Sequence, residues 1–393
     1  MDRRLLTLAL GMFALGTDSF VFAGILPEIS HSFHTSIGAA GQLITAYALT
    51  YALLGPTIAA LAAEVSRKRL LLTGIGLFVV ANLATIVAPT LGIAIVTRIL
   101  AGVGAAAFSP TASGTGAMLV APERRGYALS IIVAGLTTAT ALGSPMGAII
   151  GGLASWHWTM VFVAALGSAA FIGIWMFMPD VAPPPAISLS KRLAPLADAR
   201  VGLTLATTVL AQIGTFIIFC YFSVVFEHAT HNNPTVMGGL LVLWGLAGTV
   251  SNLMTGRVLD KIGSRRVVVG MLIAVAATIL TMPLTSGHLW SAAIVVTIWG
   301  ACCWGVLVPQ QYRLASLNPP MTAVLVGLNT SATYVGVSIA GAVGAAMIPV
   351  IGSHNLGYLA SALVVVALGI SELASHRINA VAKATAVKSA VAA

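Results

Sequence analysis

Residues 256–266 of this chain read GRVLDKIGSRR, and residues 64–72, about half a chain earlier, read EVSRKRLLL. In both segments an acidic residue comes shortly before a cluster of basic residues, and an apolar run follows. Similarity at so long a period indicates that a large structural unit has been duplicated. The chain is therefore predicted to consist of two related halves.

The composition is typical of a protein that lies within a lipid bilayer. Of the 393 residues, 58% are hydrophobic and only 7% are charged, and the mean hydropathy is +1.00. A bilayer requires roughly 20 apolar residues for each helical crossing, far more than a soluble domain of this length would devote to its core. The apolar runs predict an all-α integral membrane fold of twelve helices, near residues 5–26, 40–62, 70–88, 91–112, 127–153, 157–178, 203–226, 236–257, 267–285, 289–311, 322–350 and 355–374.

The distribution of charge predicts on which side each loop lies, because Lys and Arg concentrate at cytoplasmic ends of membrane helices. Away from the ends of the predicted spans the only Lys or Arg is Arg98, and the others fall on one side, at positions 3–4, 67–69, 124–125, 191–200, 257–266, 313 and 377–388. Seven of the eight His fall on the opposite side. We expect a multi-pass protein of the bacterial cytoplasmic (inner) membrane with both termini in the cytoplasm.

A polar, proline-rich segment divides the predicted helices into two sets of six. We assign residues 1–178 to an N-terminal six-helix bundle, 179–202 to a cytoplasmic linker, 203–374 to a C-terminal six-helix bundle, and 375–393 to a cytoplasmic tail. Parallel repeats of this kind are one of the architectures of secondary transporters, whose substrate site lies between the halves at the middle of the bilayer.

Several other functional classes are disfavoured by the sequence. The formal net charge of +9 is spread over the basic loops and offers no domain for nucleic acid. No Walker loop, metal-ligand cluster or Ser/His/Asp spacing is present, so we expect no enzyme activity, no cofactor and no metal site. The three Cys fall inside predicted helices and are interpreted as small buried residues. A channel or a membrane sensor without active transport remains the alternative to a transporter.

The segment 256–266 closely resembles the signature that the major facilitator superfamily carries after its second helix and, more weakly, after its eighth. The first-half copy is degenerate, with Ala60 in place of the first Gly and Glu64 as the acid. In helix 4, residues 98–104 resemble the superfamily's Arg-x-x-x-Gly-x-Gly element. These matches imply the major facilitator fold, in which two pseudo-symmetric bundles of six helices alternate between two openings.

Further motifs narrow the resemblance to proton-driven exporters. Residues 143–152 are similar to the Gly-Pro-x-x-x-Gly-Gly stretch of such exporters, with Ser144 inserted, and residues 156–162 resemble the family's Gly-Trp-Arg-Trp-x-Phe segment. Residues 24–29 and 40–56 are similar to the drug:proton antiporter subfamily, in the branch of arabinose-type, purine base and nucleoside, and chloramphenicol exporters. The resemblance implies proton-coupled export. It also implies that conformational gating involves Glu64, Gly143, Pro145, Gly147, Gly256, Asp260, Gly263 and Arg265.

Ionisable residues are scarce in the predicted spans and are therefore candidates for function. A charge at the bilayer centre costs on the order of 2.5 to 3.5 kcal/mol, so each should face a partner or a cavity. We predict that Asp18 in helix 1 carries the coupling proton and that Arg98 in helix 4 regulates it, although Ser19 occupies the alternative position for the acid. Glu227 and Arg313 are placed near helix ends.

Polar and aromatic residues in the spans predict the lining of a substrate cavity, although each could also be an interhelical contact. No unpaired charge remains to hold an ion, so we expect a small uncharged polar or amphipathic substrate, such as a sugar, a purine base or nucleoside, or an amphenicol-type drug. The expected partners are this substrate, protons and the lipid bilayer, and the expected assembly is a monomer. The candidate cavity residues are Tyr47, Tyr51, Gln212, Phe216, Trp244, Asn252, Gln311, Asn329 and Tyr334.

Overall fold

The computed structural model describes residues 2–62, 64–121, 124–183 and 188–392, with side chains described as far as residue 381. Over these ranges the chain contains no strand, and twelve helices are long and apolar enough to cross a membrane. The predicted all-α fold of twelve membrane helices is confirmed. We number the helices α1 Arg3–Ser32, α2 Ile37–Leu61, α3 Arg67–Ile86, α4 Leu91–Met118, α5 Arg125–Leu153, α6 Trp156–Phe177, α7 Ala199–Cys220, α8 Pro234–Ile262, α9 Ser264–Thr285, α10 Leu289–Leu317, α11 Pro319–Ile351 and α12 Ser353–Val381.

Most helices extend beyond the apolar runs that predicted them. The 30 residues of α1 span about 45 Å, whereas the hydrocarbon core of a bilayer is about 30 Å thick, so the helix ends protrude. α7 is the exception, because it ends at Cys220 and not near residue 226, and two single-turn helices, Phe222–Val225 and Glu227–Thr230, follow it. The prediction for the end of helix 7 was therefore wrong, since continuous hydropathy does not reveal a break in the backbone.

The segment before α7 is fixed to the protein by polar contacts. It contains a short helix, Leu189–Leu193, and a 3₁₀ turn, Ala194–Ala197, and Arg192 donates a 3.3 Å hydrogen bond to the Ala59 carbonyl of α2. Asp198 then caps α7 by accepting from the Arg200 backbone amide at 2.8 Å. The Arg200 guanidinium also hydrogen-bonds this carboxylate and holds the pKa of Asp198 below its ordinary value.

Helix α5 changes its hydrogen-bonding pattern at mid-membrane. Residues 139–143 form a π-helical turn immediately before Pro145, which has no backbone N–H to continue the regular ladder. Beside this turn, Gly143 lies against Thr17 and Gly147 against Val21, both in α1. A side chain at either glycine would overlap α1, so these residues allow the two helices to pack closely.

We call the face of the protein that carries the Arg and Lys loops the basic side. On the opposite side, α2 packs against α11 and α5 against α8, with Gly41 in contact with the Tyr221 ring and Gly152 with Pro234. Near the basic ends of the helices, the chain leaves the space beside some glycines open within 4 Å. Three such glycines are Gly126 of α5, Gly256 of α8 and Gly327 of α11.

Candidate functional site

The two predicted coupling residues, Asp18 and Arg98, form a buried ion pair between α1 and α4. Arg98 Nη1 donates to both carboxylate oxygens of Asp18, at 2.8 and 2.9 Å, and also to Asn82 Oδ1 of α3 at 3.3 Å. The side chains of Arg98 and Asp18 are 1% and 0% exposed. The pair is thus sealed inside the N-terminal half, where charges separated from water attract each other strongly.

Two aromatic rings cover the guanidinium of Arg98. Its central carbon lies 4.3 Å from the ring centroid of Phe22 and 4.6 Å from that of Tyr47, distances typical of cation–π contacts. The Arg98 Nε atom is buried without a hydrogen-bond partner. Neither Asn82 nor Phe22 was predicted from the sequence. Phe22 lies one helical turn after Asp18, on the same face of α1, and this spacing could have identified it.

The neighbouring Ser19 points in a different direction from Asp18. Its hydroxyl forms hydrogen bonds with the Leu15 carbonyl at 2.8 Å and with the Tyr47 hydroxyl at 3.1 Å. Asp18 is therefore the residue of α1 that faces Arg98, whereas Ser19 faces α2. Tyr47 contacts both Arg98 and Ser19, because its ring lies over the guanidinium of Arg98 while its hydroxyl is hydrogen-bonded to the Ser19 hydroxyl.

The two halves meet at a pair of stacked tyrosines. Tyr51 of α2 lies on Tyr334 of α11, with ring centroids 4.0 Å apart and ring planes 27° apart. Tyr334 also packs against the cluster of buried side chains that contains Tyr47 and Tyr51. Three of the predicted cavity residues are thus brought together where α1, α2 and α11 converge.

An aromatic cluster joins the halves beside this junction. Phe20 of α1 is surrounded by four rings of the C-terminal half, at centroid distances of 5.6 to 6.3 Å. The indole N–H groups of two of them, Trp244 and Trp304, are buried and have no hydrogen-bond partner among the described residues. The four rings belong to Phe216, Phe219, Trp244 and Trp304, of which the sequence analysis predicted Phe216 and Trp244.

The C-terminal half contains a neutral polar cluster. Thr208 of α7 donates to Asn329 Oδ1 of α11 at 2.8 Å and accepts from Gln310 Nε2 of α10 at 3.2 Å. A cavity of about 20 Å³, large enough for one water molecule, borders these three residues and the predicted Gln212. Asn329 is therefore 0% exposed within the C-terminal half.

The other predicted cavity residues lie outside these clusters. Gln311 is half-buried, whereas its neighbour Gln310 occupies the polar cluster. Asn252 of α8 is half-buried, and its side-chain oxygen has no hydrogen-bond partner. Gln310 and Gln311 are adjacent at the predicted end of helix 10, and the sequence pattern could not decide which of the two side chains faces the interior of the half.

The predicted gating residues of the two basic loops lie at the basic side, whereas Gly143, Pro145 and Gly147 lie in the middle part of α5. Glu64 and Asp260 are exposed, and no ion pair of either is found among the described residues. Gly263 connects α8 to α9 with φ +81°, a conformation that an L side chain adopts only with strain. Arg265 at the start of α9 pairs with Glu372 of α12.

Two ionisable residues lie deeper in helices than the sequence suggested. Arg313, expected near the end of helix 10, is 4% exposed inside α10 and donates to the Ser371 hydroxyl at 3.1 Å and to the Ser371 carbonyl at 2.9 Å. It also donates to the Ser375 hydroxyl. Arg313 lies about one turn before the end of α10 at residue 317, near a helix end as expected, but the helix extends beyond the predicted end at residue 311. Glu372 was not considered at all, although it is the acid that connects α9 to α12.

The arrangement offers binding and proton exchange but no bond-making chemistry. In the described part of the chain, no three His, Cys, Asp or Glu side chains are grouped so as to hold a metal ion. The chemically active element is the carboxylate of Asp18, which can be neutralised either by Arg98 or by a proton. The remaining groups at the junction donate or accept hydrogen bonds, or present aromatic surfaces.

Comparison with known proteins identifies the family. The protein-family model described as Major Facilitator Superfamily matches residues 8–341 and 204–380 of this chain. An uncharacterized MFS-type transporter of Bacillus subtilis, YbcL, is 27% identical over 92% of this chain and 93% of its own length. The inner membrane transport protein YdhP of Escherichia coli K12 is 28% identical over 90% of each chain. A probable sugar efflux transporter of Helicobacter pylori is 26% identical over 93% of each chain.

These matches agree with the twelve apolar helices of the fold. The relatives are transporters, and the similarity covers both halves together. The protein is accordingly a secondary transporter of the inner membrane and not an enzyme. The chain belongs to the major facilitator superfamily.

Proposed function

We propose that this protein is a proton-coupled antiporter that exports a small uncharged polar or amphipathic molecule by alternating access. The observation that carries the proposal is the buried Asp18–Arg98 ion pair. A carboxylate is costly in the membrane interior unless it is paired or protonated. Asp18 can therefore occupy two states, one paired with Arg98 and one carrying a proton.

The contacts between the halves support alternating access. α5 contacts α8 mainly through residues 139–153, the part of α5 that lies farther from the basic loops. With the basic side in the cytoplasm, this arrangement corresponds to the inward-facing state of an exporter that is ready to accept a cytoplasmic substrate. The π-helical turn of α5 and its close packing on α1 lie where one half would rock on the other.

The substrate class follows from the groups at the junction. Tyrosine hydroxyls, amides and indoles surround it, and the Asp18–Arg98 pair buried behind it in the N-terminal half is internally neutral. Such a surface suits an uncharged molecule with hydrogen-bonding groups and an apolar or planar face. A sugar, a purine base or nucleoside, and an amphenicol-type drug meet this requirement, and the sugar efflux relative is consistent with the first.

The proton gradient supplies enough free energy for uphill export. One charge moving through ~100 mV releases roughly 2.3 kcal/mol, and a tenfold concentration ratio corresponds to about 1.4 kcal/mol. A single inward proton therefore supports accumulation of severalfold to tens-fold. We further propose that the transporter works as a monomer and that both of its termini lie in the cytoplasm. Residues 1–178 and 203–374 form the two bundles in this proposal.

Proteoliposomes with an imposed pH gradient test the proposal directly. Radiolabelled nucleosides, pentoses and chloramphenicol would be screened for uptake or efflux that follows the gradient. We expect at least one class to move uphill with the wild type, and Asp18→Asn to abolish uphill movement. Asp198→Asn, the same change in the partly exposed cap of α7, should transport normally.

Two results would contradict the proposal. Substrate movement that ignores the gradient in the wild type would indicate a channel or passive carrier. Uphill pumping by Asp18→Asn would place the coupling acid elsewhere.

A further inference from the structure

The buried ion pair must communicate with the junction between the halves through other residues. Neither Asp18 nor Arg98 is more than 1% exposed, so a substrate in the space between the halves does not touch them. If Asp18 carries the coupling proton, a change in its protonation has to affect α11. This requires a side chain that contacts both the ion pair and the junction between the halves. This requirement rests on the proposed function and identifies a small number of candidates.

Tyr47 satisfies the requirement through two different parts of one side chain. Its ring lies 4.6 Å from the guanidinium carbon of Arg98, and its hydroxyl is 3.1 Å from that of Ser19. Tyr334 of α11, in the other half, packs against the cluster that contains Tyr47 and stacks on Tyr51, one turn further along α2. The route from the ion pair to the other half therefore passes from Arg98 to Tyr47 and then to the side chains at the junction.

The other ring on Arg98 cannot serve in the same way. Phe22 belongs to α1, the helix that carries Asp18, and it has no polar group. Asn82 accepts a hydrogen bond from Arg98, but it lies on α3 and otherwise donates only to the Phe78 carbonyl of its own helix. Neither side chain has a described hydrogen bond to the C-terminal half.

Protonation of Asp18 changes what holds the guanidinium. With Asp18 charged, Arg98 is bound by the carboxylate, and the rings provide additional stabilisation. With Asp18 neutral, the carboxyl no longer attracts the cation by charge, and the Asn82 oxygen and the faces of Phe22 and Tyr47 hold a larger share of the guanidinium. The guanidinium and the Tyr47 ring should therefore move together, and the ring's hydroxyl then shifts against Ser19 and Tyr334.

We infer that Tyr47 is a positioning residue that transmits the protonation state of Asp18 to the contact between the two halves. Among the described residues, the titratable or charged groups that face Asp18 are Arg98 on α4, Tyr47 on α2 and Tyr334 on α11. Tyrosines remain neutral over the physiological range, so the proton-dependent change begins at Asp18 itself.

Distances between two spin labels, measured by double electron–electron resonance on the protein in nanodiscs, test this inference without a substrate. Spin labels at Ser32→Cys and Asn355→Cys, both exposed on the side opposite the basic loops, report whether that side is open. The native Cys220, Cys302 and Cys303 would first be replaced by Ala. In parallel, the infrared carboxyl band assigned with Asp18→Asn reports protonation of Asp18. Wild-type protein should show both signals changing together with pH.

Tyr47→Phe keeps the ring over Arg98 and removes the hydroxyl. We expect Asp18 to titrate as before, while the pH-dependent change in the ratio of open to closed populations falls by on the order of fivefold or more. Ser19→Ala, which removes the partner of that hydroxyl, should have the same effect and remains informative if Tyr47→Phe folds poorly. Tyr358→Phe, the same change on an exposed position of α12, should behave as the wild type.

The outcomes separate this inference from the proposed function. If Tyr47→Phe and Ser19→Ala both keep the wild-type distance response, Tyr47 does not transmit the signal and the inference is overturned. If Asp18→Asn also keeps that response, the proposed coupling role of Asp18 fails instead. Loss of the response in both hydroxyl variants, with an intact Asp18 titration, supports the transmission by Tyr47.

Discussion

Thr208 donates a 2.8 Å hydrogen bond to the side-chain oxygen of Asn329, which connects α7 to α11 inside the C-terminal half. In the N-terminal half, the corresponding buried polar contact is the Asp18–Arg98 ion pair. One half therefore contains a group that can bind or release a proton, whereas the other half has a neutral polar cluster. If the proposed function holds, we expect the proton chemistry in the N-terminal half, whereas the buried cation of the C-terminal half, Arg313, is held by the hydroxyl and carbonyl oxygens of Ser371.

We expect Thr208→Val to destabilise the C-terminal half. The substitution preserves shape but leaves the Asn329 oxygen and one Gln310 donor without this partner, and such interhelical hydrogen bonds in membranes contribute about 0.6 to 2 kcal/mol. Thermal unfolding in detergent should show a lower melting temperature. Thr207→Val is the matched control, because the Thr207 hydroxyl bonds only the Leu203 carbonyl of its own helix. Equal shifts for the two variants would argue against a role for the interhelical bond.

The ion pair could be predicted from the sequence because charges in apolar helices are rare. Asp18 and Arg98 stood alone in their spans, and the cost of burying a charge implies a partner. The sequence could not decide whether Asp18 or Ser19 faced that partner, because adjacent residues on a helix differ by 100° and the apolar pattern around them was uniform. The structure shows Asp18 facing Arg98 and Ser19 facing Tyr47.

The remaining contacts depend on tertiary packing that periodicity does not encode. Phe22 and Asn82 are ordinary residues of membrane helices until Arg98 is placed between them. Arg313 fell outside its predicted span because α10 continues beyond the apolar run, whereas Glu372 lies inside the predicted run 355–374 and was overlooked. Hydropathy therefore predicted the number of helices well but located their ends, and the charges at those ends, poorly.

Reporter fusions should place both termini on the basic side of the membrane. The expectation follows from the absence of Lys and Arg in the opposite loops. A reporter that is active only in the cytoplasm should be active when fused after Lys191 and at the C-terminus, and alkaline phosphatase at the same positions should be inactive. A strong periplasmic signal at either position would contradict the predicted topology.

We predict that Asp260→Asn slows turnover without affecting membrane insertion. Asp260 is exposed in this conformation and has no described ion pair, so removing its charge should not disturb this state. Its place before the α8–α9 connection suits a contact that forms when the basic side closes. Initial transport rates at matched expression would measure the effect. Transport at the wild-type rate would reduce Asp260 to a determinant of topology.

Glu372→Gln provides a comparison on the same side of the membrane. Here the charge pair with Arg265 already exists in the structure, so its loss should favour the other conformation. Because both side chains are largely accessible, solvent screens their attraction and the melting temperature should hardly change. Spin-label distances between α8 and α12 would detect the shift. An unaltered distance distribution together with normal transport would show that the pair does not contribute to gating.

Arg98→Gln should be more harmful than the double substitution Asp18→Asn/Arg98→Gln. Removing the guanidinium leaves the Asp18 carboxylate buried without a counter-ion, and breaking one side of a buried pair costs about 3 to 5 kcal/mol, whereas neutralising both sides removes the penalty. The deficit of Arg98→Gln should shrink as the pH falls, because a protonated Asp18 needs no counter-ion. Melting temperatures of the three proteins over a pH series would measure this. If Arg98→Gln were as stable as the double variant over the whole pH series, the Asp18 carboxyl would not depend on the guanidinium for its stability, and the ion pair would not be the element that balances the charge of Asp18.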